Sequence, residues 1–192
     1  MRITEALISL MFLSFLLELF FPEKLEYFSF SFYKSIKYPW VWITNAFLHA
    51  SVAHLLFNTI VIWSLGSLIE SEIGKRNYLL LFVTSVVIAN LAFGLMYPKQ
   101  EGIGSSGFAF ALCGIATILN PYMIVLVWFV PMTMRTAGIF FFLLELTLLL
   151  LFPGSKIGHI AHLSGFAVGV LFGYFLKRKV IKEEFIEYGE YY

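Results

Sequence analysis

Long apolar runs alternate with short polar segments along this chain. A helix needs about 20 mostly apolar residues to cross a bilayer, and charged residues collect between the runs as they do between such helices. Six helices are predicted, near residues 4–21, 48–69, 78–97, 105–119, 134–152 and 159–176. The pattern therefore predicts an all-α polytopic membrane protein with six transmembrane helices, as one membrane domain over residues 1–180 and a short tail over 181–192.

The longest connection between the predicted helices covers residues 22–47. Phenylalanines alternate with serines at Phe28, Phe30 and Phe32, and two tryptophans follow. Aromatic side chains of this kind favour the boundary between lipid and water. We therefore expect this connection to lie in the membrane surface.

Two other apolar stretches need a separate interpretation. Tyr122–Met132 has 11 residues, too few to span the bilayer as a helix, so we assign it to a connection or to the early part of the fifth helix. The run 4–21 starts like a signal peptide, but no small-residue cleavage site follows it. We expect it to be retained as the first helix.

Composition and charge narrow the function classes. The chain is 60% hydrophobic and 13% charged, and its net charge of +1 with no basic face gives no reason to expect a nucleic-acid partner. Six helices place both termini on one side of the membrane, together with eight of the 13 lysines and arginines. The positive-inside rule then predicts cytoplasmic termini, which we expect at the plasma membrane. The only cysteine, Cys113, is expected to be a packed, inert thiol.

Ser106 lies in a glycine-rich string, Gly102–Gly107, that opens the predicted fourth helix. Such a string alone is weak evidence, because serine and glycine are common where helices start. The fourth helix, however, has 15 residues, which at ~1.5 Å each is shorter than the ~30 Å hydrocarbon core. Its start is therefore expected below the membrane surface, in a wet pocket where free N–H groups could stabilise an oxyanion.

Three more polar residues are expected in the same layer of the membrane. His162 lies about one turn into the sixth helix, ahead of a glycine stripe that would let a neighbouring helix approach closely; the stripe is Gly165, Gly169 and Gly173. His54 and Asn58 are four residues apart and share one face of the second helix, whereas His49 faces elsewhere. Each of these could instead serve only as a hydrogen-bonding link between helices.

The acidic residues of the predicted helices have simpler interpretations. Glu18 and Glu70 lie near helix ends and are expected to reach water. Glu145 lies in the middle of the fifth helix, where we expect a buried, hydrogen-bonded carboxyl rather than a catalytic one. The sequence pattern does not indicate a role for His159.

Three motifs together resemble the rhomboid family of intramembrane serine proteases, and the resemblance covers nearly the whole chain. They are the spaced residues His49, His54 and Asn58, the string Gly104-Ser105-Ser106-Gly107, and Ala161-His162-Leu163-Ser164-Gly165 with its glycine repeat. The order and spacing of all three are far more specific than any one of them.

The resemblance implies a six-helix rhomboid-like bundle with a catalytic dyad of Ser106 and His162 and no acidic third member. It further implies an oxyanion site made by His54, Asn58 and the Ser106 backbone N–H. Supporting positions are implied at His49, Gly104, Gly107, Phe110 and Gly165. The fifth helix would act as a lateral gate for transmembrane protein substrates, which would be cut within the lipid bilayer near its non-cytoplasmic face, and no cofactor or metal is implied.

The sequence departs from the family pattern at two positions. Trp40-Val41 stands where many bacterial members have a Trp-Arg pair that helps to fix the first loop. Phe110 stands where some members have a tyrosine stacked on the catalytic histidine. The ring is kept at this position, so we expect the change to be tolerated.

Three other functions remain open at this point. A catalytically inactive rhomboid-like scaffold would keep the fold without needing Ser106. A haem or metal protein could use the four histidines, His49, His54, His159 and His162. A transporter would fit six helices, but no inverted repeat is evident.

Overall fold

The computed structural model describes residues 2–155 and 157–189. Helices dominate this part of the chain, and they are α1 (Ile3–Phe20), α2 (Pro22–Leu25), α3 (Phe32–Lys37), α4 (Val41–Thr44), α5 (Val52–Met96), α6 (Ser106–Leu119), α7 (Met134–Leu151) and α8 (His159–Gly189). Short 3-10 helices cover Glu26–Phe28 and Asn45–Phe47. The core lies between α1, α5, α6 and α8, where the large side chains of Tyr78 and Phe108 are fully buried.

Four of the described helices are long and apolar enough to cross a membrane. They are α1, α5, α7 and the part of α8 from His159 to Arg178. Helix α6 has only 14 residues, which agrees with the short fourth helix that the sequence predicts. Its neighbours α5 and α8 surround it, so its apolar residues are mostly buried inside the protein.

Helix α5 contains both the second and the third predicted helices. Its backbone leaves helical geometry at Gly74, where φ is 77° and ψ is 159°. Asn45, before the start of α5, exchanges amide hydrogen bonds of 2.8 and 2.9 Å with Asn90 near its end. The chain therefore reverses direction at Gly74, and the two ends of α5 lie side by side.

Glu70 is buried, which corrects the expectation that it reaches water. Its carboxylate accepts hydrogen bonds from the backbone N–H groups of Ile3 and Thr4, at 2.8 and 2.9 Å, and another from the Thr4 hydroxyl. The Tyr78 hydroxyl lies 2.9 Å from that same Thr4 hydroxyl. The first N–H groups of a helix lack partners within the helix, so a carboxylate placed there satisfies them and interacts favourably with the helix dipole.

The connection 22–47 consists of short helices rather than one continuous element. Phe30 and Gly102 form a pair of backbone hydrogen bonds, of 3.0 and 2.7 Å, that joins this connection to the segment before α6. Val41 is fully buried beside Phe30 and Phe93. Apolar packing and backbone pairing thus hold the connection in place.

A β-hairpin occupies most of the stretch Tyr122–Met132, which corrects the prediction of a purely helical fold. Strands β1 (Ile124–Val127) and β2 (Val130–Thr133) pair antiparallel around a turn whose two residues both have positive φ. The chain leaves and returns at the same place, because the Arg135 N–H donates to the Pro121 carbonyl at 3.0 Å. The sequence carries no local signal for this turn. Its two central residues, Trp128 and Phe129, are not the glycine, asparagine or aspartate that hairpin turns favour.

Helix α8 continues well beyond the predicted end near residue 176. It runs to Gly189, so most of the predicted tail 181–192 belongs to this helix. Residues 190–192 lie outside the described residues.

We expect Gly74→Ala to destabilise the protein by ~1–3 kcal/mol, because its φ and ψ lie in a region that is open almost only to glycine. Space is not the cause, since nothing lies within 4 Å of an added Cβ. Gly154→Ala is the matched control, because Gly154 has the same free space but an ordinary φ. Unfolding in detergent micelles measures both. Equal stabilities for the two variants would contradict the role given to Gly74.

Candidate functional site

Ser106 is the first residue of α6 and lies at the end of a glycine-rich loop. Gly104, two residues earlier, has φ of 107°, and a Cβ there would come within 2.6 Å of the His54 ring. The Gly104 N–H donates to the Asn45 carbonyl at 2.9 Å, which fixes the loop. Only glycine fits this position, because it permits both the backbone conformation and the close approach.

The Ser106 side chain meets His162. Its Oγ lies 2.9 Å from His162 Nε2, within hydrogen-bond distance. The Phe110 ring stacks on the imidazole, with centroids 4.5 Å apart and an interplanar angle of 7°. The imidazole is therefore held by a hydrogen bond at one edge and by an aromatic ring on one face.

Close packing of α6 against α8 makes this contact possible. A Cβ on Gly165 would overlap the Gly107 carbonyl oxygen, and one on Gly169 would overlap the Ala111 carbonyl oxygen. Helices approach this closely only where side chains are missing. The glycine stripe thus admits a close neighbour, as the sequence predicts, and the structure identifies that neighbour as α6.

Ser106 and His162 line a cavity of about 540 Å³. His54 and Asn58 line the same cavity, whose walls are otherwise mostly apolar. Asn58 Nδ2 donates to the His54 carbonyl of its own helix at 3.1 Å. An amide group has two N–H donors, so the second can serve a ligand in the cavity.

His49 lies behind this cavity rather than in its wall. It is buried, and its backbone N–H donates to the Glu18 carboxylate at 3.1 Å. Its ring packs 4.9 Å from that of His54. His49 therefore supports His54 by packing.

Glu145 lies beside His162, and the sequence pattern does not predict this contact. Its Oε2 lies 2.6 Å from Nδ1 of His159 and 3.0 Å from Nδ1 of His162. Both Glu145 and His159 are buried. The carboxyl is buried and hydrogen-bonded to His159, as its position in the middle of an apolar helix indicates. It also lies close to His162, the residue that the resemblance places in a dyad without an acid. The one signal in the sequence was a lone carboxylate in that helix.

The same three residues could hold a metal ion. The ligand atoms of Glu145, His159 and His162 lie within 4.8 Å of one another, and zinc commonly binds two imidazoles and a carboxylate. His49 and His54 do not belong to this cluster. The four histidines therefore divide into two pairs rather than forming one ligand set.

Comparison with known proteins adds independent information. A family model described as the Rhomboid domain matches residues 37–179. Rhomboid protein 1, mitochondrial, of Saccharomyces cerevisiae is 27% identical over 149 residues, covering 73% of this chain and 43% of the yeast protein. Rhomboid protease GlpG of Yersinia pestis is 28% identical over 135 residues, covering 70% of this chain and 47% of GlpG.

The rhomboid-family protein YdcA of Bacillus subtilis is 29% identical over 141 residues, covering 73% of this chain and 68% of YdcA. The matched part of this chain thus spans less than half the length of the yeast and Yersinia proteins. The similarity includes the segments that carry Ser106 and His162, since both residues lie within the matched range.

We expect Gly165→Ala to separate α6 from α8 and to destabilise the protein by ~1–3 kcal/mol, because the new methyl group meets a backbone carbonyl that cannot yield. Gly173→Ala, on the same stripe, is the control. Its Cβ would come no closer than 3.1 Å to a neighbour, so a smaller loss is expected. Unfolding in micelles compares the two, and a larger loss for Gly173→Ala would refute the proposed close contact.

Proposed function

This chain belongs to the rhomboid family, and we propose that it is an intramembrane serine endopeptidase. Its substrates are other membrane proteins, cleaved at peptide bonds in or near their transmembrane segments. The observation that carries this proposal is the distance of 2.9 Å between Ser106 Oγ and His162 Nε2 in the wall of a cavity. A serine hydroxyl is a weak nucleophile, and an adjacent base is what activates it.

The reaction uses His162 as base and then as acid. As Ser106 Oγ bonds to the scissile carbonyl carbon, its proton passes to His162 Nε2. The same proton goes to the leaving amine when the C–N bond breaks, which leaves an acyl group on Ser106. Water then attacks this ester, again with help from His162, and restores the free hydroxyl.

Charge that develops on the carbonyl oxygen needs hydrogen-bond donors. The backbone N–H of Ser106 lies at the N-terminus of α6, where it has no partner within the helix. His54 and Asn58 line the same cavity and supply the other donors. Donors positioned before the reaction lower its barrier most, because they do not have to reorganise.

The protein is an integral membrane protein, for which we propose six membrane-crossing segments. The reversal of α5 at Gly74 supplies two of these, and α6 supplies a short one inside the bundle. The hairpin before α7 returns to its starting point and adds no crossing. Helix α7 has few buried side chains and places Phe141 at the cavity, so it is suited to move as a lateral gate.

We propose that both termini lie in the cytoplasm, because eight basic residues lie on the side of the termini and five on the other. The plasma membrane is the location that we propose with this orientation. Six crossings then open the cavity towards the non-cytoplasmic face. The Tyr97 hydroxyl donates to the Pro153 carbonyl at 2.6 Å, which supports a common side for the loops after α5 and after α7.

We expect a fluorophosphonate probe to label the purified protein in lipid, and Ser106→Ala and His162→Ala to abolish the labelling. The nucleophile is absent from the first variant and its base from the second. Asn58→Ala should be labelled more slowly, because the phosphoryl oxygen loses a donor. Labelling is read by gel and by mass spectrometry of the modified peptide.

Ser105→Ala is the matched control, since Ser105 is adjacent but buried, with its hydroxyl turned to Met11. Its labelling should equal that of the wild type. A wild-type protein that is folded but unlabelled would refute the enzyme and favour the inactive scaffold.

We expect single cysteines at Lys99 and at Ser155, in a Cys113→Ala background, to react with a membrane-impermeant maleimide from the same side. The reason is that six crossings leave both loops on the non-cytoplasmic face. The experiment uses sealed cells and inverted vesicles. Reaction from opposite sides would show an additional crossing between them and would separate Ser106 from His162.

A further inference from the structure

We propose that Glu145 is a positioning residue for His162, and that the reacting serine and histidine are completed by a buried carboxylate on α7. The proposal rests on the proposed function and deepens it, because it concerns the same site. It starts from one carboxylate oxygen that lies 2.6 Å from His159 Nδ1 and 3.0 Å from His162 Nδ1. The other ring nitrogen of His162 faces Ser106.

Proton positions follow from what each atom can do. An ionised carboxylate oxygen only accepts hydrogen bonds, so a nitrogen that faces it at this distance is favoured as N–H. A neutral imidazole with its proton on Nδ1 has a lone pair on Nε2. Glu145 therefore favours the tautomer of His162 in which Nε2 accepts the Ser106 proton.

The opposite tautomer would be unfavourable at both edges of the ring. Its Nδ1 lone pair would face the carboxylate oxygen at 3.0 Å, and its Nε2–H could not accept a proton from Ser106. A carboxylate in this place also stabilises the imidazolium that forms when the serine proton arrives. A buried acid has this dual effect on the histidine of the Ser-His-Asp triad.

The geometry between the Glu145 carboxylate and His162 Nδ1 is not that of a good hydrogen bond. The distance is short, but the N–H of His162 Nδ1 does not point at Oε2, and this buried nitrogen has no hydrogen-bond partner among the described residues. His159 shares the oxygen with better geometry. A small rotation of the carboxylate would align it with His162, so we expect the contact to tighten when the ring becomes charged.

The ionisable groups that face His162 come from three helices. Among the described residues they are Glu145 on α7, His159 on α8 itself and His54 on α5. Glu101 and Cys113 line the same cavity, and Glu101 forms an ion pair with Lys34. Of the three groups that face His162, Glu145 is the acidic one. Its removal should therefore disfavour the protonated ring and move the acidic limb of a pH–rate profile to lower pH.

The test measures kcat, KM and their pH dependence for cleavage of a transmembrane model substrate in lipid. The variants are Glu145→Gln, which keeps the shape and removes the charge, and His159→Gln, which removes the competing partner. Glu72→Gln, an exposed carboxylate bound to Asn120, is the matched control. Thermal unfolding of each variant is followed in parallel.

We expect Glu145→Gln to lower kcat by about 10- to 100-fold, a part of what general acid–base catalysis contributes, with little change in KM, and to move the acidic limb to lower pH. His159→Gln should lower kcat less than Glu145→Gln does, because Glu145 can still serve His162. Glu72→Gln should match the wild type in all these quantities.

Two outcomes would overturn the proposal while leaving the proposed function intact. In the first, Glu145→Gln keeps the kcat and the pH limb of the wild type. In the second, Glu145→Gln and His159→Gln lose equal activity and equal stability with no pH shift, which means that the carboxylate only links α7 to α8.

The alternative that Glu145, His159 and His162 bind a metal ion is tested with the wild-type protein. Loss of activity with a chelator and recovery with zinc would show that Glu145, His159 and His162 are metal ligands, and would overturn the positioning role. A folded wild-type protein with neither cleavage nor Ser106 labelling would remove the proposed function itself, and this inference with it.

Discussion

The contact between α6 and α8 is the constraint on which the site depends. In a bilayer, apolar surface gains little by moving from lipid to protein, so helices associate through close packing and hydrogen bonds. Gly165 and Gly169 remove the side chains that would otherwise keep the backbones apart, and the carbonyls of α6 occupy that space. The short distance between Ser106 and His162 follows directly from this approach. If α6 and α8 moved apart, the hydrogen bond between Ser106 and His162 would lengthen and weaken.

Buried polar groups determine how the other helices join this pair. Glu70 closes the N-terminus of α1, and the paired amides of Asn45 and Asn90 hold the first connection against the end of α5. Glu145 joins α7 to His159 on α8. Polar groups without water are stable only with partners, so each of these contacts favours one arrangement of the helices over its alternatives. The apolar surfaces alone would allow many arrangements.

Helix α7 combines two features that bear on the proposed chemistry. It lines the cavity through Phe141, and through Glu145 it reaches Nδ1 of His162, the ring nitrogen that does not face Ser106. Most of its other side chains are outside the core. A helix that is loosely held but carries this carboxylate would connect the position of a gate to the orientation of the base. The proposed site would then have three members, whereas the family resemblance implies two.

The membrane class, the family resemblance, the short α6, and the meeting of Ser106 with His162 follow from apolar run lengths and spaced motifs, which are local properties of the chain. The hairpin before α7, the burial of Glu70 and the position of Glu145 depend on how distant segments pack together. A hairpin with Trp128 and Phe129 in its turn has no local turn signal. The partners of a buried carboxylate come from other helices. The spacing of residues along one helix shows which of them share a face, but it does not show which residues of a neighbouring helix that face will contact. Contacts of this kind join segments that are far apart in the sequence, so local patterns do not predict them.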